Sequence, residues 1–150
     1  MNSDDFKVFI EATSRYFETV SDRPATVFAP YLTSDITKHL NDYTGKISIS
    51  GDYSGSVYVS APRAMLSRVL LFLGILTDQE LKIRDLIGEI GNTLAGNARR
   101  ELGDRFLLSV PNVYDRSHQE PVKNIDDITV IPISWLSMKA NVIVDVKRTA

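Results

Sequence analysis

The sequence TDQELKIRDLIGEIGNTLAGNARRELG, residues 77–103, is the longest helical pattern in the chain, and we expect the other elements to be arranged around it. Thr77, followed three residues later by Glu80, predicts a capping box at the start of the helix. Gly103 predicts its end, because glycine adopts a positive φ at the lowest cost. Five apolar side chains recur on one broad face that we expect to be buried: Ile83, Leu86, Ile87, Ile90 and Leu94.

The same helix carries a narrow polar strip on another side. At about 100° per residue, Asp85, Glu89, Asn92 and Gly96 lie within about 60° of one another. A carboxylate can bind a lysine or accept a proton, and an amide one turn away can orient a water molecule. On spacing alone, an E-x-x-N strip is more often the ordinary solvent-exposed face of an amphipathic helix. Spacing alone leaves both interpretations open.

Small residues form a third strip, which consists of Gly88, Gly91 and Ala95. A glycine inside a helix costs about 1 kcal/mol relative to alanine, so we expect close packing to compensate. The apolar helix predicted after Pro62 is the expected neighbour.

Composition favours a single domain, residues 1–150, with 43% hydrophobic and 24% charged residues. The net charge of −2 without a basic block argues against a nucleic-acid partner. The absence of cysteine excludes thiolate metal sites and cysteine nucleophiles. The N-terminus lacks the pattern of a secretory signal, and the longest apolar run is too short to cross a bilayer. We therefore expect a cytoplasmic protein that does not bind membranes.

The remaining segments predict helices and strands in two αβ-type halves, and hence an α+β fold with an antiparallel sheet packed against long helices. In order, they are a helix ending before residues 22–24, a short strand in 25–32, a hairpin of 46–50 and 56–60, an apolar helix in 62–74, a strand in 105–110, a polar and mobile connection over 111–127, and a strand pair of 128–135 and 138–147. Pro132 indicates an edge or a bulge in that last pair.

Common hydrolytic motifs are missing. The two histidines, His39 and His118, lie in separate polar stretches without a G-x-S-x-G or H-E-x-x-H pattern, so we expect surface roles for both. No G-x-x-x-x-G-K-[ST] loop supports nucleotide hydrolysis.

The segment DLIGEIGNTLAGNA, residues 85–98, resembles the signature helix of the CheX/CheC chemotaxis phosphatase family. That helix has an acidic or serine residue before E-x-x-N, and a glycine-asparagine-alanine run follows in CheX-like members. The chain has one E-x-x-N and none in its first half, which matches CheX-like members better than CheC-like ones. The family tends to carry a proline downstream, for which Pro111 is the nearest candidate.

The resemblance implies hydrolysis of the aspartyl phosphate on a CheY-like response regulator in two-component signalling. Asn92 would orient the attacking water, and Glu89 would engage the regulator's active-site lysine. Asp85 and Gly96 would contact the partner. The chain would bind no metal or cofactor, and Mg²⁺ would belong to the partner's receiver domain.

The resemblance also implies a homodimer joined through its sheets, for which residues 128–147 offer edge strands. Two other functions stay open at this point. A non-catalytic adaptor of the same fold, such as a flagellar-switch or signalling module, would bind a receiver without hydrolysing its phosphate. A structural oligomer would use the polar strip only for solubility.

Overall fold

Two long β-hairpins form the centre of one antiparallel sheet in the computed structural model, which describes residues 1–117 and 127–149. The first hairpin turns at Asp52, so its strands are longer than predicted. The elements, in chain order, are α1 (Ser3–Ser21), β1 (Thr26–Val27), β2 (Tyr31–Thr33), a 3₁₀ turn (Thr37–His39), β3 (Tyr43–Gly51), β4 (Tyr53–Ala61), α2 (Arg63–Phe72), α3 (Glu80–Leu102), β5 (Phe106–Leu108), β6 (Asn112–Asp115), β7 (Ile128–Trp135) and β8 (Met138–Arg148).

The strand order is β1-β7-β8-β4-β3-β5, with β2 also paired to β7 and β6 also paired to β3. The two hairpins therefore meet at β4 and β8, and each outer edge consists of two short strands. All the sheet pairings are antiparallel, and three α-helices accompany the sheet in the described residues. The α+β prediction is confirmed.

The main core lies between one face of the sheet and the helices. Alternate residues of β8, among them Val142 and Val144, join the buried faces of the helices in one hydrophobic cluster. Its largest fully buried side chains include Trp135, Phe9 and Phe106. The opposite face carries a smaller cluster of Ile36, Ile128, Val130 and Ile143. The sheet thus has its helical layer on one side.

Helix α2 follows Pro62 as predicted, but its last turn is not buried. Leu71 and Phe72 are 52% and 41% exposed, and Leu73, which follows the helix, is 48% exposed. The Phe72 ring lies with its centroid 5.7 Å from that of Trp135. The apolar side chains at this end stay exposed because α1 and α3 pack only against the inner side of α2.

The strand predicted in residues 25–32 is divided into β1 and β2, both paired with β7. Pro132 lies in β7 opposite the break, where its carbonyl accepts a hydrogen bond from the Phe28 amide at 2.9 Å. In an antiparallel sheet, the N and O of one residue point to the same neighbouring strand. Pro132 has no amide proton to donate to that strand, and the strand is interrupted at this position, so no partner in the described strands is left without a donor. Proline is accommodated here without a bulge in the pairing of β7 with β8.

Two expectations about the second half need correction. Strands β7 and β8 are internal except where β1 and β2 are interrupted, so residues 128–147 do not supply the predicted edge; the outer strands are β1, β2, β5 and β6. Residues 112–115 of the supposed polar loop form β6, while 118–126 lie outside the described residues. The homodimer stays a prediction. Within the described chain, no helix is long and apolar enough to span a membrane.

Candidate functional site

The polar strip of α3 faces solvent. Asp85, Glu89 and Asn92 are exposed, and Gly96 is half-buried with open space beside its α-carbon. Within the described residues, none of the three polar side chains forms a hydrogen bond or an ion pair. The structure therefore brings the predicted strip together and leaves its polar groups available. The chemical roles of the four residues stay predictions.

The inner side of α3 lies directly on strand β3. A β-carbon built on Gly45 would be only 2.7 Å from the Ile87 carbonyl oxygen, which leaves no space for a side chain. One turn further, the corresponding position on Gly91 is 3.6 Å from Ile47 Cγ1. The five predicted apolar residues are all buried. This close approach fixes the helix against the sheet and so fixes the direction of the polar strip.

Gly88 packs against the chain that enters β6. Its β-carbon position is 3.2 Å from both Pro111 Cβ and Val113 Cγ2. The predicted neighbour of the small-residue strip was α2, and this is wrong for both glycines, since their contacts come from β3, β6 and the residue before β6. The small residues correctly indicated close packing at this side of α3, but they did not show whether the neighbour was a strand or a helix.

The start of α3 also differs from the prediction. The helix begins at Glu80, and its N-cap, Gln79, makes no side-chain capping bond. The Thr77 hydroxyl accepts instead from the Gln79 amide at 3.0 Å, in a turn before the helix. The capping box is wrong because Glu80 is held elsewhere, by the Tyr43 hydroxyl and the Arg63 guanidinium.

These contacts form a polar cluster that joins three elements. Arg63 donates to the Tyr43 oxygen at 2.9 Å and to the Asp78 carbonyl at 3.0 Å. Hydrogen bonds from Tyr43 and then from Arg63 lower the pKa of Glu80. A second pair nearby, Arg84 Nη1 to Asp115 Oδ2 at 2.7 Å, attaches α3 to β6. The cluster anchors the first turns of α3 without using the polar strip.

Helix α1 adds a residue that the sequence did not single out. Burial, followed by the negative charge of Glu89, raises the pKa of Tyr16 to about 12. Its phenol therefore stays protonated near neutral pH and lies within electrostatic range of the strip. The helical spacing of Phe9, Thr13 and Tyr16 could have placed this tyrosine on the side of α1 that faces another helix.

His39 lies away from the polar strip. His39 Nδ1 lies 2.9 Å from the Asp35 carbonyl oxygen, and its ring centroid lies 5.6 Å from that of Tyr31. His118 lies outside the described residues. Among the side chains that the structure describes, no three His, Asp or Glu groups converge as metal ligands would.

Solved structures share the whole fold. A CheC-like superfamily protein from Shewanella sp. PV-4 matches with a TM-score of 0.82 and 21% identity over 98% of this chain and 99% of the other. CheX from Vibrio vulnificus matches with a TM-score of 0.81 and 20% identity over 97% of this chain and 100% of the other. A CheX–CheY–BeF₃–Mg²⁺ complex from Borrelia burgdorferi contains a chain that matches with a TM-score of 0.74 and 16% identity, over 98% of this chain and 100% of the other.

No curated protein sequence matched the chain. The family model described as chemotaxis phosphatase CheX matches residues 43–133, from the start of β3 to the middle of β7. This range is more than half of the 150 residues and includes the complete signature helix. The chain therefore belongs to the CheX family of chemotaxis phosphatases.

Proposed function

We propose that this protein hydrolyses the aspartyl phosphate of a CheY-like receiver domain, with α3 as the docking and catalytic helix. The observation that carries the proposal is that Glu89 and Asn92 are exposed together, without hydrogen bonds or ion pairs among the described residues, on a helix packed closely against the sheet through its glycine contacts. Polar groups left free on a rigid element are suited to act on another molecule. Family membership and the CheX–CheY complex from Borrelia burgdorferi support the choice of partner.

The spacing suits two simultaneous contacts with one receiver. Side chains three apart on a helix have β-carbons about 5–6 Å from each other. The Glu89 carboxylate would bind the receiver's active-site lysine, forming a charge-assisted hydrogen bond. The Asn92 amide would hold a water molecule in line with the phosphorus. Mg²⁺ would stay with the receiver and neutralise charge on the phosphoryl oxygens.

The chemistry requires no covalent intermediate on this chain. The water oxygen forms a bond to phosphorus as the bond from phosphorus to the aspartate oxygen breaks, which releases inorganic phosphate and restores the aspartate carboxylate. An acyl phosphate is already reactive, so positioning and charge stabilisation can supply most of the acceleration. An exposed amide and carboxylate are sufficient for both.

A turnover measurement separates hydrolysis from adaptor binding. The receiver domains of the same organism are phosphorylated, and each is mixed with this protein at one-twentieth of the receiver concentration, with Mg²⁺ present. The proposal predicts loss of far more phosphate than one equivalent per protein molecule for at least one receiver. Binding that depends on phosphorylation without turnover would establish the adaptor instead, and the absence of binding to every receiver would leave only the structural role.

A further inference from the structure

An exposed valine lies beside the polar strip, in the short connection from β5 to β6. Val110 is 79% exposed, whereas the next residue, Pro111, packs on α3 with its Cβ 3.2 Å from the β-carbon position of Gly88. At about 100° per residue, Gly88 is about 40° from Asn92 around the helix. The backbone of Val110 therefore lies beside the side of α3 that carries Asn92, and its side chain is open to solvent.

This connection is held in place by the sheet. The Ser109 amide donates to the Ser48 carbonyl at 2.9 Å, and the Ser48 amide donates to the Ser109 hydroxyl at 2.9 Å. That hydroxyl in turn donates to the Val110 carbonyl at 2.9 Å. The backbone is thus held on both sides of Val110, because Ser109 is hydrogen-bonded to β3 and Pro111 packs against α3. An apolar side chain on a fixed backbone loses little conformational entropy when a partner covers it.

A second exposed apolar side chain lies on the same side of the strip. Leu81, in the first turns of α3, is 69% exposed and about 20° from Asn92 around the helix axis. Exposed apolar side chains therefore flank the polar strip, with Leu81 one turn before Asp85 and Val110 beside the turn that carries Gly88. Interfaces commonly combine apolar anchor residues with nearby polar groups that fix orientation.

We propose that Val110 is an apolar contact residue for the phosphorylated receiver domain, and that it sets affinity rather than the rate of the chemical step. The inference rests on the proposed function, since the receiver is identified as the occupant by the position of Val110 beside the helix that carries Glu89 and Asn92. The receiver would present apolar surface beside its acidic phosphorylation site. Val110 is a binding residue in this scheme and touches no reacting atom.

The test uses the full chain and a CheY-like receiver of the same organism activated with beryllofluoride and Mg²⁺. Val110→Ser is expected to weaken binding about tenfold, because burial of an apolar contact is lost. Val110→Leu is expected to retain the affinity. The matched control is Leu32→Ser, since Leu32 is 66% exposed on β2 at the opposite edge of the sheet, and its affinity is expected to equal that of the wild type.

Kinetics with the phosphorylated receiver provide the second readout. For Val110→Ser, the reduction in kcat/KM is expected to come from KM. Suppose that the wild type hydrolyses the phosphate. If Val110→Ser then has the affinity and the KM of the wild type, the inference is overturned and the proposed function stays intact. A wild-type protein that binds the activated receiver but hydrolyses nothing would overturn the proposed function, and the affinity of Val110→Ser would still decide the inference.

Discussion

At the scale of single residues, the polar groups of the strip make no hydrogen bonds in the part of the chain that the structure describes, whereas the inner side of the same helix is closely packed. Asn92 and Glu89 make no side-chain hydrogen bonds within the described residues, whereas Gly45 and Gly88 are in contact with neighbours where a β-carbon would be. Gly96 differs from these two, because nothing lies within 4 Å of its β-carbon position. Close packing and exposed polar groups thus lie on different sides of α3.

Gly45→Ala and Gly96→Ala are expected to change stability in opposite directions. A methyl group at Gly45 would be 2.7 Å from the Ile87 carbonyl oxygen, so α3 must shift, at a cost of about 1–3 kcal/mol in unfolding free energy. At Gly96 the methyl group meets open space, and the better helix propensity is expected to add up to about 1 kcal/mol. Urea unfolding of the two variants measures both changes. A Gly45→Ala variant with the unfolding free energy of the wild type would contradict the described contact between α3 and β3.

Tyr16 provides a pH-dependent measure of the charge on Glu89. Burial is the larger cause of its pKa of about 12, and the carboxylate is the second. Glu89→Gln is therefore expected to lower the Tyr16 pKa while leaving it above the ordinary value of about 10. Ultraviolet titration of tyrosinate, compared with Tyr16→Phe and Glu89→Gln/Tyr16→Phe backgrounds, isolates this residue. An identical Tyr16 pKa in the presence and absence of the Glu89 charge would show that the two groups do not interact.

The same shift predicts how stability changes in alkali. A raised pKa means that the folded chain holds the Tyr16 proton more tightly than the unfolded chain does. The resulting stability is complete below about pH 10 and is lost as pH rises through about 12. Tyr16→Phe should lack this component of the alkaline loss.

At the scale of secondary structure, sequence patterns located the long elements well and the polar contacts poorly. The apolar face of α3 and the alternating strands β4 and β8 repeat over many residues, so their patterns are unambiguous. Strand β6 has four residues, none of them fully buried, and so carries no alternating signal. The Thr77 capping pattern failed because a distant arginine and tyrosine compete for the Glu80 carboxylate, which local spacing does not reveal.

Glu80→Gln is expected to weaken the attachment of α3 to β3 and α2. Because the folded-state pKa of Glu80 is lowered, first by Tyr43 and then by Arg63, its stabilisation is present above the ordinary carboxyl value. That stabilisation is lost as pH falls through the lowered pKa. Urea midpoints of the variant should lie below those of the wild type at pH 7, and the difference should shrink as pH falls below the ordinary carboxyl value. Glu101→Gln, an exposed substitution near the other end of α3, serves as the control.

At the scale of the whole molecule, one helical layer on one face of the sheet leaves the outer side of α3 open to a partner. The α+β class and the helical layer follow from the sequence, because each helix carries apolar residues that must be buried against the sheet or another helix. The pairing of β4 with β8, for example Val57 with Val144, does not follow from the sequence, since no local pattern specifies which hairpins lie side by side. The same limit made residues 128–147 look like an edge.

The candidate site was more predictable than the sheet order. Asp85, Glu89, Asn92 and Gly96 belong to one continuous helix, whose geometry places them on one side without tertiary information. Tyr16, Pro111 and Val110 come from other parts of the chain. Their positions beside the strip depend on how α1 and the β5–β6 connection pack against α3, so only the folded chain brings them to it.

In the proposed reaction, the Asn92 amide orients the attacking water. The most direct measurement is the rate of receiver dephosphorylation by Asn92→Ala, with Asn97→Ala as a control that removes the same group from the same helix outside the strip. We predict that Asn92→Ala lowers kcat about 100-fold or more with unchanged unfolding free energy, and that Asn97→Ala retains wild-type kcat. A wild-type rate for Asn92→Ala would contradict the claim.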